Sequence, residues 1–206
     1  FALAGDGCMM EGVASEAASL AGHLQLDNLC WIYDSNRITI EGPTSLAFSE
    51  DVGARFEAYG WRVEWVRDAN DLGALTAAFH SMRNRTGRPT LIVVDSHIGY
   101  GSPHKQDSAS AHGEPLGPEE VALTKRAYGW PEDASFLVPD AVREHLASGF
   151  GARGHALRQA WMGRFEAYRD RYPDLAEALY RMQHRQLPDD WDADLLQALG
   201  LERSKL

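Results

Sequence analysis

Cysteine is scarce: Cys8 and Cys30 are the only two in 206 residues, and neither sits in a metal-type pair spacing. Both are expected as buried thiols in a reducing cytosol. Long apolar runs are missing too; none approaches the roughly 20 residues that a membrane span needs. No signal-peptide pattern stands at the start, so no membrane is expected and the localisation reads as cytoplasmic. Cations are outnumbered, with 20 Lys and Arg against 30 Asp and Glu and a net charge of −10. The deficit falls in residues 1–150, where 11 basic residues face 21 acidic ones, while residues 151–206 carry nine of each. Without a basic stripe, nucleic acid is excluded as an expected partner. An initial Met is lacking as well, and the first residues already look like a strand, so the sequence reads as a fragment.

What is present is an ordinary globular composition, 44% hydrophobic and 24% charged. The length suffices for one sizeable core, or for a domain with a helical appendage. Phe1-Ala2-Leu3-Ala4 reads as the end of a buried strand. Met10, Val13, Ala17, Leu20, Ala21 and Leu24 then recur at helical spacing, with Gly22 a breaker inside the run. Leu29-Cys30-Trp31-Ile32-Tyr33 has strand length. Ser49 is the expected cap of a helix through Val52 and Phe56 that Gly60 ends. Trp61 to Val66 alternates as a strand with one face less deeply buried, and Asn70-Asp71 caps a helix bearing Leu72, Leu75, Ala78, Phe79 and Met82. Thr90 to Val94 reads as a fully buried parallel strand. This β-α-β-α-β-α-β alternation predicts an α/β fold, a Rossmann-like doubly wound parallel sheet, over residues 1–130. Residues 131–206 predict a helical appendage. Its stripes are Leu157, Ala160, Trp161, Phe165 and Tyr168, then Leu175, Leu179 and Met182 beyond Pro173, with a last short helix before Gly200.

Chemistry gathers at the strand ends. Gly5-Asp6-Gly7 follows the first strand, at the carboxyl edge where open α/β sheets bind ligands, and Asn36 follows the second. A hard cation such as Mg²⁺ takes oxygen ligands and usually only one or two carboxylates, which suits Asp6 and Asn36. Gly5 and Gly7 lack the Cβ that would keep a diphosphate from the backbone. In so acidic a segment, a divalent cation is the obvious way to neutralise that diphosphate. Asp95 to Gly117 shows no periodicity and leaves a core strand, so it reads as a functional loop. It carries His97, His104 and His112, any of which can donate a hydrogen bond or move protons near neutral pH.

The flanking text narrows this further. Gly5-Asp6-Gly7-Cys8-Met9-Met10-Glu11-Gly12 with Glu16-Ala17, Tyr33-Asp34-Ser35-Asn36, Arg55-Phe56-Glu57-Ala58-Tyr59-Gly60-Trp61, Ile98-Gly99-Tyr100-Gly101-Ser102-Pro103 and His112-Gly113-Glu114-Pro115-Leu116-Gly117 stand in one order. Together they resemble transketolase, from Phe1 to about Pro188. The resemblance implies thiamine diphosphate as cofactor with Mg²⁺, or alternatively Ca²⁺, held by Asp6, Asn36 and the backbone carbonyl of Ile38, with Gly7 against the diphosphate. It implies a homodimer of the pentose phosphate pathway that moves a two-carbon ketol unit from a ketose phosphate to an aldose phosphate. It also implies that Glu11 meets the activating Glu of a partner subunit at the dimer interface, and that the helical appendage leads toward a pyrimidine-binding domain. An isolated fragment is then expected to be inactive.

One position departs from the family pattern. Where many transketolases hold a His facing both substrate and cofactor, this chain has Ala109, and His104 or His112 is expected to take over part of that duty. The alternatives are another thiamine enzyme such as dihydroxyacetone synthase, a non-catalytic cofactor-binding subunit of a split enzyme, and a structural module that binds nothing.

Overall fold

The carboxyl ends of four parallel strands lie level with one another and set out the loops that matter. In the computed structural model, which describes residues 1–84 and 86–200, the chain separates into two compact units, Phe1–Ala134 and Ser135–Leu206. In the first unit β1 (Ala2–Gly5), β2 (Cys30–Ser35), β5 (Arg62–Val66) and β6 (Thr90–Asp95) form one sheet in the order β1-β2-β6-β5. Its register pairs Gly5 with Asp34 and Ser35 with Asp95. Asp6, Asn36 and Ser96 therefore emerge side by side.

Period-two alternation along β6 explains why the sheet is covered on both faces. Leu91 and Val93 pack with Tyr33 against Met9, Ala18, Ala21 and Phe56, from α1 (Asp6–Met10), α2 (Gly12–His23) and α3 (Val52–Ala58). Ile92 and Val94 point the other way, with Cys30 and Val66, onto Ala78 and Met82 of α4 (Leu72–Met82). Leu91, Ile92 and Val93 are fully buried, each worth about 1.5–3 kcal/mol of apolar burial. The doubly wound α/β reading holds.

Four local details differ from the sequence expectation. β1 is not a buried strand: it is an edge strand, and Phe1 and Leu3 are both 77% exposed. The first helical run is broken at Glu11, so that α1 and α2 are separate. α3 is capped by Asp51, whose carboxylate accepts from the Ala54 N–H at 3.0 Å, rather than by Ser49. Cys8 is exposed and only Cys30 is buried, because Cys8 rides on short α1 instead of in a strand.

Side chains from α3 and its neighbours fix α1 and α2 in place. Trp61 is buried, edge-on to Phe56 at 5.1 Å and to Trp31 at 5.2 Å, and its indole N–H donates to the Ala18 carbonyl at 2.8 Å. Arg55 donates to the Met9 carbonyl at 2.8 Å and to Ser15 Oγ at 3.0 Å. Gly22 lets α2 approach this region: a Cβ there would stand 1.9 Å from the Tyr59 carbonyl oxygen. Between β2 and α3 a small ladder pairs β3 (Ile38–Thr39) with β4 (Gly42–Pro43). The long loop after β6 leads to α5 (Pro118–Ala127).

The second unit is helical. It comprises α6 (Asp140–Leu146), a π-helical turn over Ala147–Gly151, α7 (Ala152–Arg171), α8 (Pro173–Gln183) and α9 (Ala193–Leu199). Trp161 and Phe165 stack at 5.1 Å along α7, and Ala176 of α8 is buried. No helix among the described residues is long and apolar enough to cross a membrane.

Candidate functional site

Asp6 opens α1 directly after β1 and is buried. Tyr33 donates its hydroxyl to Asp6 Oδ1 at 2.7 Å, while the backbone N–H groups of Asn36 and Arg37 donate to Oδ2 at 3.1 and 3.0 Å. Burial, then the hydrogen bond to Asp6, pushes the Tyr33 phenol well above its ordinary pKa. Asn36 turns its own Oδ1 onto the Ile38 N–H at 3.0 Å. Arg37 reaches this geometry with φ at 63°, a left-handed conformation that costs a non-glycine residue about 1–2 kcal/mol. The three residues expected to hold a cation are thus gathered by one set of hydrogen bonds.

The donors suit a hard divalent ion. A carboxylate offers about four lone-pair positions, so three hydrogen bonds leave room for one more partner. The residue opposite Ile38 in its ladder is Pro43, which has no N–H to give to a carbonyl. Among the described residues no three or more His, Cys, Asp and Glu side chains gather to hold a metal. A cation here would rest on one carboxylate with amide and carbonyl oxygens, a set that fits Mg²⁺. Beside it, apart from chain neighbours and the helix's own backbone, no described atom lies within 4 Å of where a Cβ would stand on Gly5 or Gly7. The fold itself makes no steric demand for glycine there, and the backbone is open to close approach.

Asn36, Arg37 and Ile38 also line a cleft of about 650 Å³ whose far walls are the turn after β5 and the loop after β6. His97 stands in it with Nδ1 at 2.9 and 3.0 Å from the two carboxylate oxygens of Asp107. Arg67 pairs with Asp95 at 3.3 Å and lies over the Trp65 ring. Ser96 donates to the Asp34 carboxylate.

The loop itself is stapled from below. Glu120, in the first turn of α5, is buried and accepts from Ser102 Oγ, from the His104 N–H at 2.8 Å and from His104 Nδ1 at 2.8 Å. The Ser102 hydroxyl, with the two His104 donors, holds its carboxyl down at about 2. Gly101, at φ 80°, has no space for a side chain, since a Cβ would stand 2.7 Å from the Tyr128 ring. His104 is thereby committed to Glu120. His112 is exposed at the end of a 3-10 turn over Ala109–Ala111, its N–H donating to the Ala109 carbonyl at 2.9 Å. Glu11 is exposed between α1 and α2, one residue before the helix on which it was expected. The cleft is lined by His97 rather than by His104 or His112.

Residues 1–188 match the family model described as transketolase, thiamine diphosphate binding domain. The chain belongs to the transketolase family. It is 46% identical over 195 residues to a transketolase of Bacillus subtilis, which covers 95% of this chain and 29% of that protein. With a transketolase of Streptococcus pyogenes it shares 51% identity over 176 residues, 85% of this chain and 24% of that one. A crystal structure of a transketolase from Pichia stipitis in complex with sedoheptulose-7-phosphate superposes with a TM-score of 0.73 at 41% identity, over 93% of this chain and 28% of that one. A transketolase from Leishmania mexicana gives 0.74 at 37% identity, over the same shares. The chain spans less than a third of the length of these relatives.

Sequence reasoning passed over Tyr33 and Arg37 at this site, and it named His97 only as one of three loop histidines. Tyr33 lies in a quoted motif, yet nothing in its spacing says that its hydroxyl faces Asp6. Arg37 and His97 lie beyond the ends of β2 and β6, the one clue that was available.

Proposed function

We propose that this chain is the part of a transketolase that anchors thiamine diphosphate through Mg²⁺, in an enzyme moving a two-carbon ketol unit from a ketose phosphate to an aldose phosphate. The observation that carries the reading is the joint tethering of Asp6, Asn36 and Ile38 at the ends of two neighbouring parallel strands. Asp6, Asn36 and the Ile38 carbonyl would hold the cation, and the bare backbone at Gly5 and Gly7 would admit the diphosphate. When bound, the cofactor supplies an electron sink for breaking the carbon–carbon bond beside the ketose carbonyl. Tyr33 keeps the Asp6 carboxylate oriented. Glu11 would meet a second subunit of a homodimer, and the exposed apolar residues Val13 and Leu20 on α2, with Leu24 just after it, accord with a covered face there. His104 and His112 are offered as substrate-facing groups in place of a His at Ala109. The proposed setting is the pentose phosphate pathway of the cytoplasm.

The test expresses the complete reading frame that contains this chain and follows ketol transfer between a ketose phosphate and an aldose phosphate. Turnover should require both thiamine diphosphate and Mg²⁺ and be lost in Asp6→Ala. Turnover that ignores Mg²⁺, or that survives Asp6→Ala, contradicts the proposal.

A further inference from the structure

The two carboxylate oxygens of Asp6 have different tasks. Oδ2 accepts from the backbone N–H groups of Asn36 and Arg37 at 3.1 and 3.0 Å, so its lone pairs are spent on tying down the chain after β2. Oδ1 accepts from the Tyr33 hydroxyl at 2.7 Å and keeps its other lone pair. A cation that approached Oδ2 would have to displace a backbone N–H, whereas one that binds Oδ1 displaces nothing. Tyr33 is well placed to steer that oxygen. Its ring lies in the core with Met9, Leu91 and Val93, and the residue is only 5% exposed. Parallel pairing with Ala4 sets it beside the strand from which Asp6 emerges. A Phe would fill the same core space, so packing alone does not call for the hydroxyl. A phenol O–H donating to a carboxylate is a charge-assisted bond, strong enough to fix the plane of the acceptor.

We propose that Oδ1 is the metal-facing oxygen of Asp6, and that Tyr33 is a positioning residue whose hydroxyl sets the direction of that oxygen's free lone pair. The inference rests on the proposed function, in which Asp6 holds Mg²⁺. Partners that orient a ligating side chain change metal affinity by about 10–100-fold when they are removed. Tyr33 therefore acts on the cation through Asp6, without touching it.

The experiment uses the protein of the complete reading frame and titrates Mg²⁺ by calorimetry in the presence of thiamine diphosphate, well below the Tm of each variant. Tyr33→Phe should weaken Mg²⁺ by about tenfold or more. Saturating Mg²⁺ should then bring its affinity for thiamine diphosphate back to within about twofold of the wild type, by mass action. Unchanged Mg²⁺ affinity in Tyr33→Phe, or a loss that no concentration of Mg²⁺ restores, would make the hydroxyl merely structural and overturn the inference. A second measurement stands even where Tyr33→Phe does not fold. With 3-fluorotyrosine in place of Tyr33, which keeps the hydroxyl, the ¹⁹F signal should move when Mg²⁺ is added to protein holding thiamine diphosphate. A signal that stays put while calorimetry shows the metal bound would place the metal away from Oδ1 and contradict the assignment. Failure of the underlying reading looks different: wild-type binding of thiamine diphosphate would then be indifferent to Mg²⁺.

Discussion

The hydroxyl of Tyr33 donates to the carboxylate of Asp6 across 2.7 Å, with both residues at most 5% exposed. This bond makes the first candidate ligand a fixed group. Tyr33→Phe leaves one Asp6 lone pair buried without its donor, and should cost about 1–3 kcal/mol of stability by urea denaturation. The phenol is held above its ordinary value of 10, so the native state favours its neutral form. That contribution is present in full below pH 10 and is lost as pH climbs above it. The wild type should therefore lose stability at alkaline pH more steeply than Tyr33→Phe does.

Glu120 has the opposite sign. Its carboxyl sits at about 2 against an ordinary 4.5, so its ionised form, which receives Ser102 and His104, is favoured by folding. The stabilisation is complete above pH 4.5 and disappears as pH falls toward 2. Measured by urea denaturation across that window, Glu120→Gln should flatten the acid limb. An unchanged slope would mean that the staple beneath the loop contributes nothing.

Gly22→Ala should be among the most damaging small substitutions. Its methyl would land 1.9 Å from a backbone oxygen that cannot rotate away. The expected cost is about 1–3 kcal/mol or more, seen as a lowered Tm, while Gly12→Ala, with open space around it, should change far less.

The histidines near Ala109 give a kinetic test. If His104 and His112 share the duty of the missing ring, His104→Ala and His112→Ala each lower kcat/KM by about tenfold or more in the complete enzyme. Wild-type kcat/KM in both variants would end that idea and turn attention to His97.

The sequence made the sheet legible because strand and helix periods differ, and because β6 is apolar on both faces, as an interior parallel strand must be. It could not say which side of an amphipathic helix is covered. In α2 the packed residues are the small Ala18 and Ala21, while Val13 and Leu20 are exposed. Helical spacing gives a stripe but not its partner. The same limit applies at the site. Asp6 and Asn36 were readable from their spacing, since a βαβ unit brings such residues together. The bond from Tyr33 to Asp6 and the pairing of His97 with Asp107 depend on how loops fold back, which no period encodes.

Whether Asp6 anchors a metal-bound cofactor is read by calorimetric titration of thiamine diphosphate with and without Mg²⁺. The comparison is between the protein of the complete reading frame and its Asp6→Asn variant, which keeps the side-chain shape and removes the charge. Binding should be saturable and Mg²⁺-dependent in the wild type and weakened by about a hundredfold or more in the variant. Equal affinity in both proteins, or binding indifferent to Mg²⁺, would contradict it.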